Sequence, residues 1–544
     1  MKFSGFLLFL PGILFLSNIL VSGQPYGFLW VNQTGDQYDD RGIGIACDQA
    51  GNTWTIGQGT LTILDTILTA DYFLFKCDPE GEYQWIRKIG SMVSAVDVDD
   101  QGNSYVCGTF SDKVDFGDTT LISEKFDNLF IVKYNNKGSL LWARHAEGTR
   151  WNYPWGIVSD NDGNIGLTGY FGDTLSFGGI DLVSDGSEDI FIVKYSTLGN
   201  VLWTERAGGP YDDGGRSIAV DHNGNYLITG YFKESISFPD TLFTGLNAFD
   251  VVTVKYDPEG KFLWARSALG PYEDEPWSIA TDSEGNCFIT GSFEDSLIFG
   301  KTILKEPVVS IDIFVAKYSS DGDLDWALRA GGPSGDNGYC LTADSMGNCT
   351  VAGAFAAPAT FGDTILENST GSTDIFVARF DPGGKLLEAN QGGGSGIDWG
   401  LSLAGDAKGN NYLTGHFYGP AIFGDKELPG FGKKDLFIAK YGPSTVGQIR
   451  HKPPQLTSFQ LLQNYPNPFN PITNIEFRIP KSEFVTLKIY NVRGQKVKRL
   501  IGQRLIAGVH QYQFDGSDLA SGIYYYRLET STGFVQTKKL VLIK

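Results

Sequence analysis

The chain has 544 residues, of which 42% are hydrophobic, 13% aromatic and 19% charged, a composition that supports a packed core and argues against disorder. Its formal net charge of −20 repels phosphate backbones, so we expect no nucleic acid partner. The 69 glycines and 37 phenylalanines, against only 3 methionines, favour strands and tight turns. We therefore predict an all-β fold.

The first 23 residues predict an export signal. Lys2 supplies a positive start, residues 6–20 are apolar, and small residues lead up to Gly23. We expect cleavage between Gly23 and Gln24; a retained membrane span is the alternative, although Asn18 interrupts the apolar run. After residue 23 no apolar stretch is long enough to cross a bilayer, which predicts a mature chain without a transmembrane span.

The main part of the chain consists of seven copies of a repeat. Each copy contains the turn signal Asp-x-x-Gly-Asn, which begins at Asp48, Asp99, Asp160, Asp221, Asp282, Asp344 and Asp406. One apolar run precedes this turn and one follows it, a third run ends in a base and an aromatic residue, and a fourth carries a tryptophan in most copies. Four short strands per repeat predict one blade of a β-propeller.

The two ends of the repeat region are complementary. The seventh repeat stops at Tyr441 without a fourth strand, whereas residues 26–31 have the pattern of a fourth strand without a blade of its own. If this N-terminal strand completes the last blade, the ring closes without free sheet edges. We therefore predict a seven-bladed β-propeller over residues 24–441. The alternative is an open β-solenoid, in which complementary half-blades would have no purpose.

The repeats resemble the bacterial β-propeller repeat of the SBBP type, with the pattern SIAVDxxGNxYxTGxF followed by DIFVxKYxxxGxxxW. Repeats three to six match it most closely, for example over residues 217–264. The resemblance implies the seven-bladed fold. It implies no activity, because propellers host many unrelated functions.

A composition break follows Tyr441. Residues 442–457 have no apolar period and predict a linker. Residues 458–544 show alternating strands that predict a small Ig-like β-sandwich. This last segment holds 12 basic and 5 acidic residues, a balance of +7 against −27 for the rest of the chain, so the two parts are expected to have different roles.

Short motifs in the last segment resemble the type A sorting domain of the type IX secretion system. The residues that carry this resemblance are Tyr465, Pro466, Asn467, Pro468, Phe469, Gly494, Gly522, Lys538 and Lys539. The resemblance implies a Bacteroidetes-like source and a partner in the type IX secretion machinery. It also implies export through the periplasm, followed by secretion or display on the outer-membrane surface.

We predict no catalytic residues, no metal and no cofactor. The six cysteines form no Cys-x-x-Cys and occupy apolar repeat positions, which favours buried thiols, although an exported chain permits disulfides. The five histidines have no ligand spacing for zinc. The Asp-x-x-Gly-Asn motif lacks the further carboxylates of a calcium loop, so we interpret it as a turn.

The loops that join one blade to the next combine aromatic and acidic residues on one face of the ring. The candidate binding residues are Tyr38, Asp39, Asp40, Tyr153, Tyr211, Asp212, Asp213, Tyr272, Glu273, Asp274, Asp336 and Trp399. Aromatic rings beside carboxylates can bind a sugar, a cation or a basic protein surface. Polar turns with aromatic plugs are the structural alternative.

These features predict an exported cell-surface or secreted protein that acts as a binding or scaffold module for an unknown glycan or protein ligand. One alternative is a structural or adhesion component that binds only other surface proteins. The other is a polysaccharide-active hydrolase or lyase that uses carboxylates of the loops.

Overall fold

A computed structural model of the chain describes residues 26–35, 38–63, 66–123, 127–306, 308–356, 358–367, 373–444, 459–464, 466–479, 483–505 and 508–544. The predicted signal peptide with its cleavage site at Gly23 and Gln24, most of the predicted linker, and Tyr465 lie outside these residues. The described residues form strands and turns and contain no helix, which confirms the all-β prediction. The chain divides into two compact units, Met1–Ser444 and Thr445–Lys544.

The first unit contains seven antiparallel sheets of four principal strands each, numbered here 1 to 7 along the chain. Sheets 1 to 3 consist of Arg41–Cys47, Thr53–Ile63, Thr66–Cys77 and Tyr83–Ile89; Met92–Val98, Ser104–Phe110, Asn128–Tyr134 and Leu140–Gly148; and Asn152–Ser159, Ile165–Phe171, Asp189–Tyr195 and Val201–Ala207. Sheets 4 and 5 consist of Gly214–Val220, Tyr226–Phe238, Thr241–Tyr256 and Phe262–Ala268; and Glu275–Thr281, Cys287–Glu294, Ile311–Tyr318 and Leu324–Ala330. Sheets 6 and 7 consist of Asn337–Ala343, Cys349–Phe355, Asp374–Phe380 and Leu386–Gly394; and Trp399–Gly405, Asn411–Tyr418, Lys434–Pro443 and Tyr26–Thr34.

The fourth strand of sheet 7 comes from the N-terminal end of the described chain. Tyr26–Thr34 pairs antiparallel with Lys434–Pro443, from Tyr26 opposite Pro443 to Thr34 opposite Leu436. The first strands of neighbouring sheets contact one another from sheet 1 through sheet 7, and the first strand of sheet 7 contacts that of sheet 1. The N-terminal strand therefore pairs with the third strand of sheet 7.

The Asp-x-x-Gly-Asn motif forms the turn between the first and second strands. In sheet 4, Asp221 Oδ1 accepts hydrogen bonds from the backbone N–H groups of Asn223 (2.9 Å) and Asn225 (3.0 Å), and Oδ2 accepts one from Asn225 Nδ2 (2.7 Å). Gly224 has a φ of 79°, a left-handed conformation that favours glycine. The motif satisfies its own polar groups, as expected of a turn.

Five further short hairpins connect second and third strands. They are Lys113–Asp115 with Thr120–Ile122, Thr174–Phe177 with Ile180–Val183, Ser296–Phe299 with Thr302–Lys305, Ala359–Phe361 with Thr364–Leu366, and Ala421–Phe423 with Lys426–Leu428. Several of them pair with the fourth strand of the preceding sheet; for example, Ser176 lies opposite Glu147 and Phe423 opposite Gly392. These hairpins therefore add backbone hydrogen bonds between successive sheets.

The tryptophans of the fourth strands also join each sheet to the next. The indole N–H donates to a backbone carbonyl in the turn between the third and fourth strands of the following sheet, at 2.9–3.1 Å. The pairs are Trp30 with Pro79, Trp85 with Asn136, Trp142 with Thr197, Trp203 with Pro258, Trp264 with Ser320, and Trp326 with Pro382. Sheet 6 carries Glu388 at this position, and its carboxylate accepts a hydrogen bond from Tyr26 N of sheet 7 (2.7 Å). These side chains therefore hold neighbouring sheets together.

The hydrophobic core lies between adjacent sheets. One cluster joins Ile190 and Ile192 of sheet 3 to Ile218, Tyr226 and Val252 of sheet 4. All six cysteines are free thiols, and all but Cys47 are buried. Burial between sheets accounts for the apolar character of the repeat.

The second unit contains two antiparallel sheets around one core. The three-stranded sheet consists of Gln460–Leu461, Ile472–Ile479 and Gly508–Asp515, and the four-stranded sheet of Lys496–Leu505, Glu483–Asn491, Gly522–Thr530 and Val535–Leu542. Their shared core includes Ile475, Phe477, Leu487 and Leu540, all fully buried. Both sheets of this unit thus pack on the same hydrophobic core.

Candidate functional site

Residues 466–469 of the sorting motif lie against the last strand of the second unit. Asn467 Oδ1 accepts a hydrogen bond from Val541 N (2.9 Å), and Phe469 N donates to Val541 O (2.9 Å). Phe469 is 2% exposed and packs on Phe514 with ring centroids 6.0 Å apart. The segment that contains Pro466, Asn467, Pro468 and Phe469 is therefore held on Val535–Leu542, the strand that carries Lys538 and Lys539.

The two predicted glycines of this domain have separate positions. Gly494 has a φ of 75° and closes the turn after Glu483–Asn491, where its N–H donates to Asn491 O (3.0 Å). Gly522 begins the strand Gly522–Thr530 in an extended conformation. They shape the ends of strands and do not join the segment around Phe469.

The first unit encloses a central cavity of about 870 Å³ that is lined by the first strands of all seven sheets. Each of these strands contains a register shift of one residue at the same place, next to the end where one sheet connects to the next. A β-bulge re-aims a side chain. All seven bulged positions line the cavity, and all except Ser94 carry a large aromatic, aliphatic or cationic side chain: Ile43, Ser94, Trp155, Arg216, Trp277, Tyr339 and Leu401.

Aromatic rings form an arc around this end of the cavity. Tyr153 and Trp155 have ring centroids 4.7 Å apart, and Trp277 and Tyr339 have centroids 5.7 Å apart. Tyr339 in turn lies 5.7 Å from Trp399. We call this set, together with Arg216, the aromatic mouth. Ring faces at the end of a cavity provide surfaces on which a flat ligand can stack.

Arg216 lies between the two halves of the arc. Its guanidinium carbon is 4.6 Å from the Trp155 ring centroid and 4.7 Å from that of Trp277. The Tyr231 ring centroid lies 4.9 Å from the same guanidinium carbon. A Cβ at Gly214 would lie 2.6 Å from the Tyr231 ring, so only glycine leaves room for this ring. Arg216 Nη2 pairs with Glu275 Oε1 at 3.0 Å. Cation–π contacts and one ion pair thus hold the guanidinium in place.

His416 lies behind Trp399, with ring centroids 5.3 Å apart, and is 1% exposed. Burial, together with the positive charges of Lys434 and Arg41, lowers the pKa of His416 to about 3. The imidazole is therefore neutral at physiological pH and serves as packing behind the aromatic mouth.

Two of the predicted binding residues, Tyr153 and Trp399, lie in the aromatic mouth. Six others lie on the loops that connect the sheets: Tyr38, Asp39, Tyr211, Asp212, Tyr272 and Glu273. Tyr38 is 62% exposed, and Tyr272 with Glu273 lines a separate pocket of about 330 Å³ beside Phe249 and Lys233. Solvent therefore reaches these loop side chains, as the prediction requires.

The remaining four predicted residues, Asp40, Asp213, Asp274 and Asp336, are fully buried. Asp336 shows their role: Oδ2 accepts a hydrogen bond from Gly332 N (2.7 Å) and Oδ1 accepts one from Ala356 N (2.8 Å). Asp398 has the same arrangement in sheet 7. Each carboxyl group ties a connecting loop to the end of a second strand, so we leave these residues out of the candidate site.

Burial strongly perturbs these carboxyl groups. It raises the pKa of Asp213 to about 8 and that of Asp274 to about 9, with the nearby charge of Asp250 adding to the effect on Asp274. Burial likewise raises the pKa of Asp336 to about 7. Although perturbed carboxyl groups often mark catalytic sites, here the cause is their position inside the loops.

The sequence interpretation missed Trp155, Arg216, Trp277 and Tyr339. Each stands within the first strand, immediately before its Ser-Ile-Ala type of run, at a position where the repeats differ strongly in residue type. This variation in residue type at a fixed position of the repeat was the sequence signal that could have identified these residues as candidates. That this position faces the cavity follows from the bulge, which the sequence pattern does not show.

Among the described residues, no group of three or more His, Cys, Asp or Glu side chains is arranged to hold a metal ion. In the same part of the chain, no helix has the length and apolar character needed to span a membrane.

Residues 463–544 match the family of secretion system C-terminal sorting domains, which confirms the sorting-domain prediction. This domain marks the chain for the type IX secretion machinery, which exports its cargo to the cell surface or releases it. The protein is therefore secreted or displayed at the cell surface.

The chain is similar to two curated proteins over part of its length. An uncharacterized WD repeat-containing protein of Acanthamoeba polyphaga mimivirus is 26% identical over 437 residues, covering 64% of this chain and 31% of the relative. Regulatory protein FlaEY of Caulobacter vibrioides is 28% identical over 217 residues, covering 36% and 22%. The chain thus spans less than a third of the length of these curated relatives. PorZ, a surface component of the type IX secretion system of Porphyromonas gingivalis, is similar with a TM-score of 0.23, 10% identity and coverage of 94% of this chain and 100% of PorZ.

Proposed function

We propose that the seven sheets are the blades of a closed β-propeller of the SBBP repeat type. Three observations support this proposal. The first strands contact one another in cyclic order, the strand Tyr26–Thr34 completes sheet 7, and a tryptophan or Glu388 joins each sheet to the next. A closed ring leaves no free sheet edge on which the exported protein could aggregate.

The protein functions, on this proposal, as a binding module at the bacterial surface or in the surrounding medium, and its ligand site is the aromatic mouth. The observation that carries the proposal is the arc of Tyr153, Trp155, Trp277, Tyr339 and Trp399 at the end of a cavity of about 870 Å³. These rings are only half-buried, and they line a cavity large enough for a ligand.

The exposed loop residues form the outer rim of this site. Tyr211 is 41% exposed and Tyr272 is 47% exposed, and both stand beside acidic residues, Asp212 and Glu273. They lie at the same end of the first strands as the aromatic mouth. A ligand larger than the cavity would contact them, which makes them secondary determinants of affinity.

A binding screen with the purified protein tests the proposal. Surface extracts and a panel of neutral and acidic oligosaccharides are measured by glycan array and calorimetry, with the variant Trp277→Ala beside the parent protein. We expect at least one ligand whose affinity falls about tenfold or more in Trp277→Ala, because stacking on a Trp ring is lost. Tyr525→Ala, which removes a 38% exposed aromatic ring from the sorting domain, serves as the matched control and should bind normally.

An equal loss of affinity in Trp277→Ala and Tyr525→Ala, or a ligand whose affinity does not change in Trp277→Ala, would place binding elsewhere on the protein. If neither the oligosaccharide panel nor the extracts contain a ligand, a structural role is favoured, in which the surface of the ring contacts only other surface proteins.

A further inference from the structure

The side chains that line the cavity carry a net positive charge, whereas the protein as a whole is acidic. The chain carries a net charge of −20, yet the charged side chains that line the cavity are Arg41, Arg216 and Asp97. Asp97 stands near the far end of its strand, Met92–Val98, where its carboxylate accepts hydrogen bonds from Ser159 N (2.5 Å) and Ser159 Oγ (2.7 Å). The aromatic end is therefore lined by two guanidinium groups; that of Arg216 is paired with the carboxylate of Glu275, so Arg41 supplies the net positive charge there.

Both guanidinium groups retain hydrogen-bonding capacity. Arg216 pairs with Glu275 through Nη2; its Nε is buried without a hydrogen-bond partner among the described residues, so a ligand in the cavity would have to reach this guanidinium through its Nη groups. Arg41 is exposed at the start of its strand, and no carboxylate in the described ranges forms an ion pair with it. A planar guanidinium with a free edge matches a carboxylate, with which it forms two parallel hydrogen bonds.

We infer that the ligand of the aromatic mouth is an oligosaccharide that contains uronate residues. This inference rests on the proposed binding function and adds the chemical class of the ligand. The apolar face of a pyranose ring stacks on Trp155 or Trp277, and its carboxylate pairs with Arg216 or Arg41. The ion pair of Arg216 with Glu275 shows that this guanidinium accepts a carboxylate partner in its present position.

The negative charge of the rest of the protein increases the preference for an anionic ligand at the aromatic mouth. Elsewhere the negative charge of the protein repels an anionic sugar, so the favourable potential is confined to the mouth. A cationic ligand would meet two guanidinium groups there. A neutral sugar would gain the stacking contacts but would leave Arg41 without a partner and Arg216 with only the one carboxylate of Glu275.

Calorimetry with the purified full-length protein tests the inference. The probes are oligogalacturonate, oligoalginate and hyaluronan oligosaccharides, each measured beside its methyl ester, which keeps the ring and removes the charge. We expect at least one acidic form to bind about tenfold or more tightly than its ester, with an affinity that falls as salt increases.

Four variants locate the charge recognition. Arg216→Gln and Arg41→Gln should each reduce the preference for the acid over the ester several-fold. Glu275→Gln should tighten binding of the acid several-fold, because it removes the competing carboxylate. Lys301→Gln removes one exposed positive charge from a hairpin turn and should change nothing. Because Arg41 is exposed, its variant keeps the test valid even if Arg216→Gln disturbs folding.

The outcomes separate the two proposals. Equal affinity for acid and ester, or binding of a sulfated neutral glycan but of no uronate, would overturn the inference while leaving the binding function intact. A screen in which neutral glycans, acidic glycans and surface extracts all fail to bind would overturn both.

Discussion

The N-terminal strand provides the sharpest test of ring closure. Phe28 is 7% exposed and packs against Phe423 and Tyr441, with ring centroids 5.3 and 5.5 Å apart. Its neighbour Leu29, the bulged residue between Phe28 and Trp30, is 37% exposed. If the strand seals sheet 7 as the last blade, Phe28→Ala opens a cavity between sheets and destabilises the protein by about 3–5 kcal/mol.

The corresponding shift in melting temperature is modest, because a large unit has a large unfolding entropy. At about 2.1 cal/mol/K per residue, 4 kcal/mol corresponds to a decrease of about 4 °C for the first unit, Met1–Ser444. Leu29→Ala serves as the matched control and should lie within about 0.5 kcal/mol of the parent. Urea unfolding followed by tryptophan fluorescence measures both. Equal effects of the two substitutions, or no effect of Phe28→Ala, would refute the closing role of this strand.

Three other perturbations test separate parts of the molecule. Trp264→Phe removes the indole N–H that donates to Ser320 O at 3.1 Å, while that carbonyl keeps its hydrogen bond from Lys255 Nζ at 3.0 Å, so we expect a loss of about 1–2 kcal/mol in urea unfolding without a change in ligand affinity. Because the pKa of Asp274 is raised to about 9, the folded state keeps a proton that the unfolded state loses above about pH 4. The free energy of unfolding therefore falls as the pH rises toward 9. Asp274→Asn should reduce this decrease by up to about 1.4 kcal/mol per pH unit. Phe469→Ala should destabilise the sorting domain by about 3–5 kcal/mol and reduce the amount of protein at the cell surface, as measured by surface proteolysis.

The structure provides a reference position for two of these predictions. Val535→Ala, at a 58% exposed position of the last strand, should leave surface export unchanged. Sheet 3 carries Asn152 where sheet 5 carries Asp274, and Asn152 is 5% exposed, so an amide is compatible with this buried position. A stability profile in which Asp274→Asn keeps the full pH slope would show that other groups cause it. Loss of ligand affinity in Trp264→Phe would mean that the sheets move when this contact is lost.

The strands and turns could be predicted because their signals are local. The Asp221 turn closes on itself through residues at most four positions away, and the alternation of apolar residues marks the strands on either side. The sorting domain could be identified for the same reason, since its motifs are contiguous. The resemblance also led to the prediction of export, and the family match confirms it.

The candidate site was predicted only in part, because its members are neighbours in space and not along the chain. Trp155, Arg216 and Trp277 come from three successive sheets, and each faces the cavity because of a bulge in its strand. Residue type alone did not distinguish them from the structural tryptophans of the fourth strands.

The sequence by itself determined the all-β class, the seven repeats and the export domain, because turn chemistry and strand alternation are encoded in adjacent residues. Only the tertiary structure decided which polar residues a ligand can reach. Asp212 and Asp213 are adjacent acids in one loop, yet Asp213 is fully buried and accepts a hydrogen bond from Lys233 N, 20 residues away. Whether an acidic side chain is buried or exposed depends on hydrogen bonds from one strand to another and on the packing of neighbouring sheets.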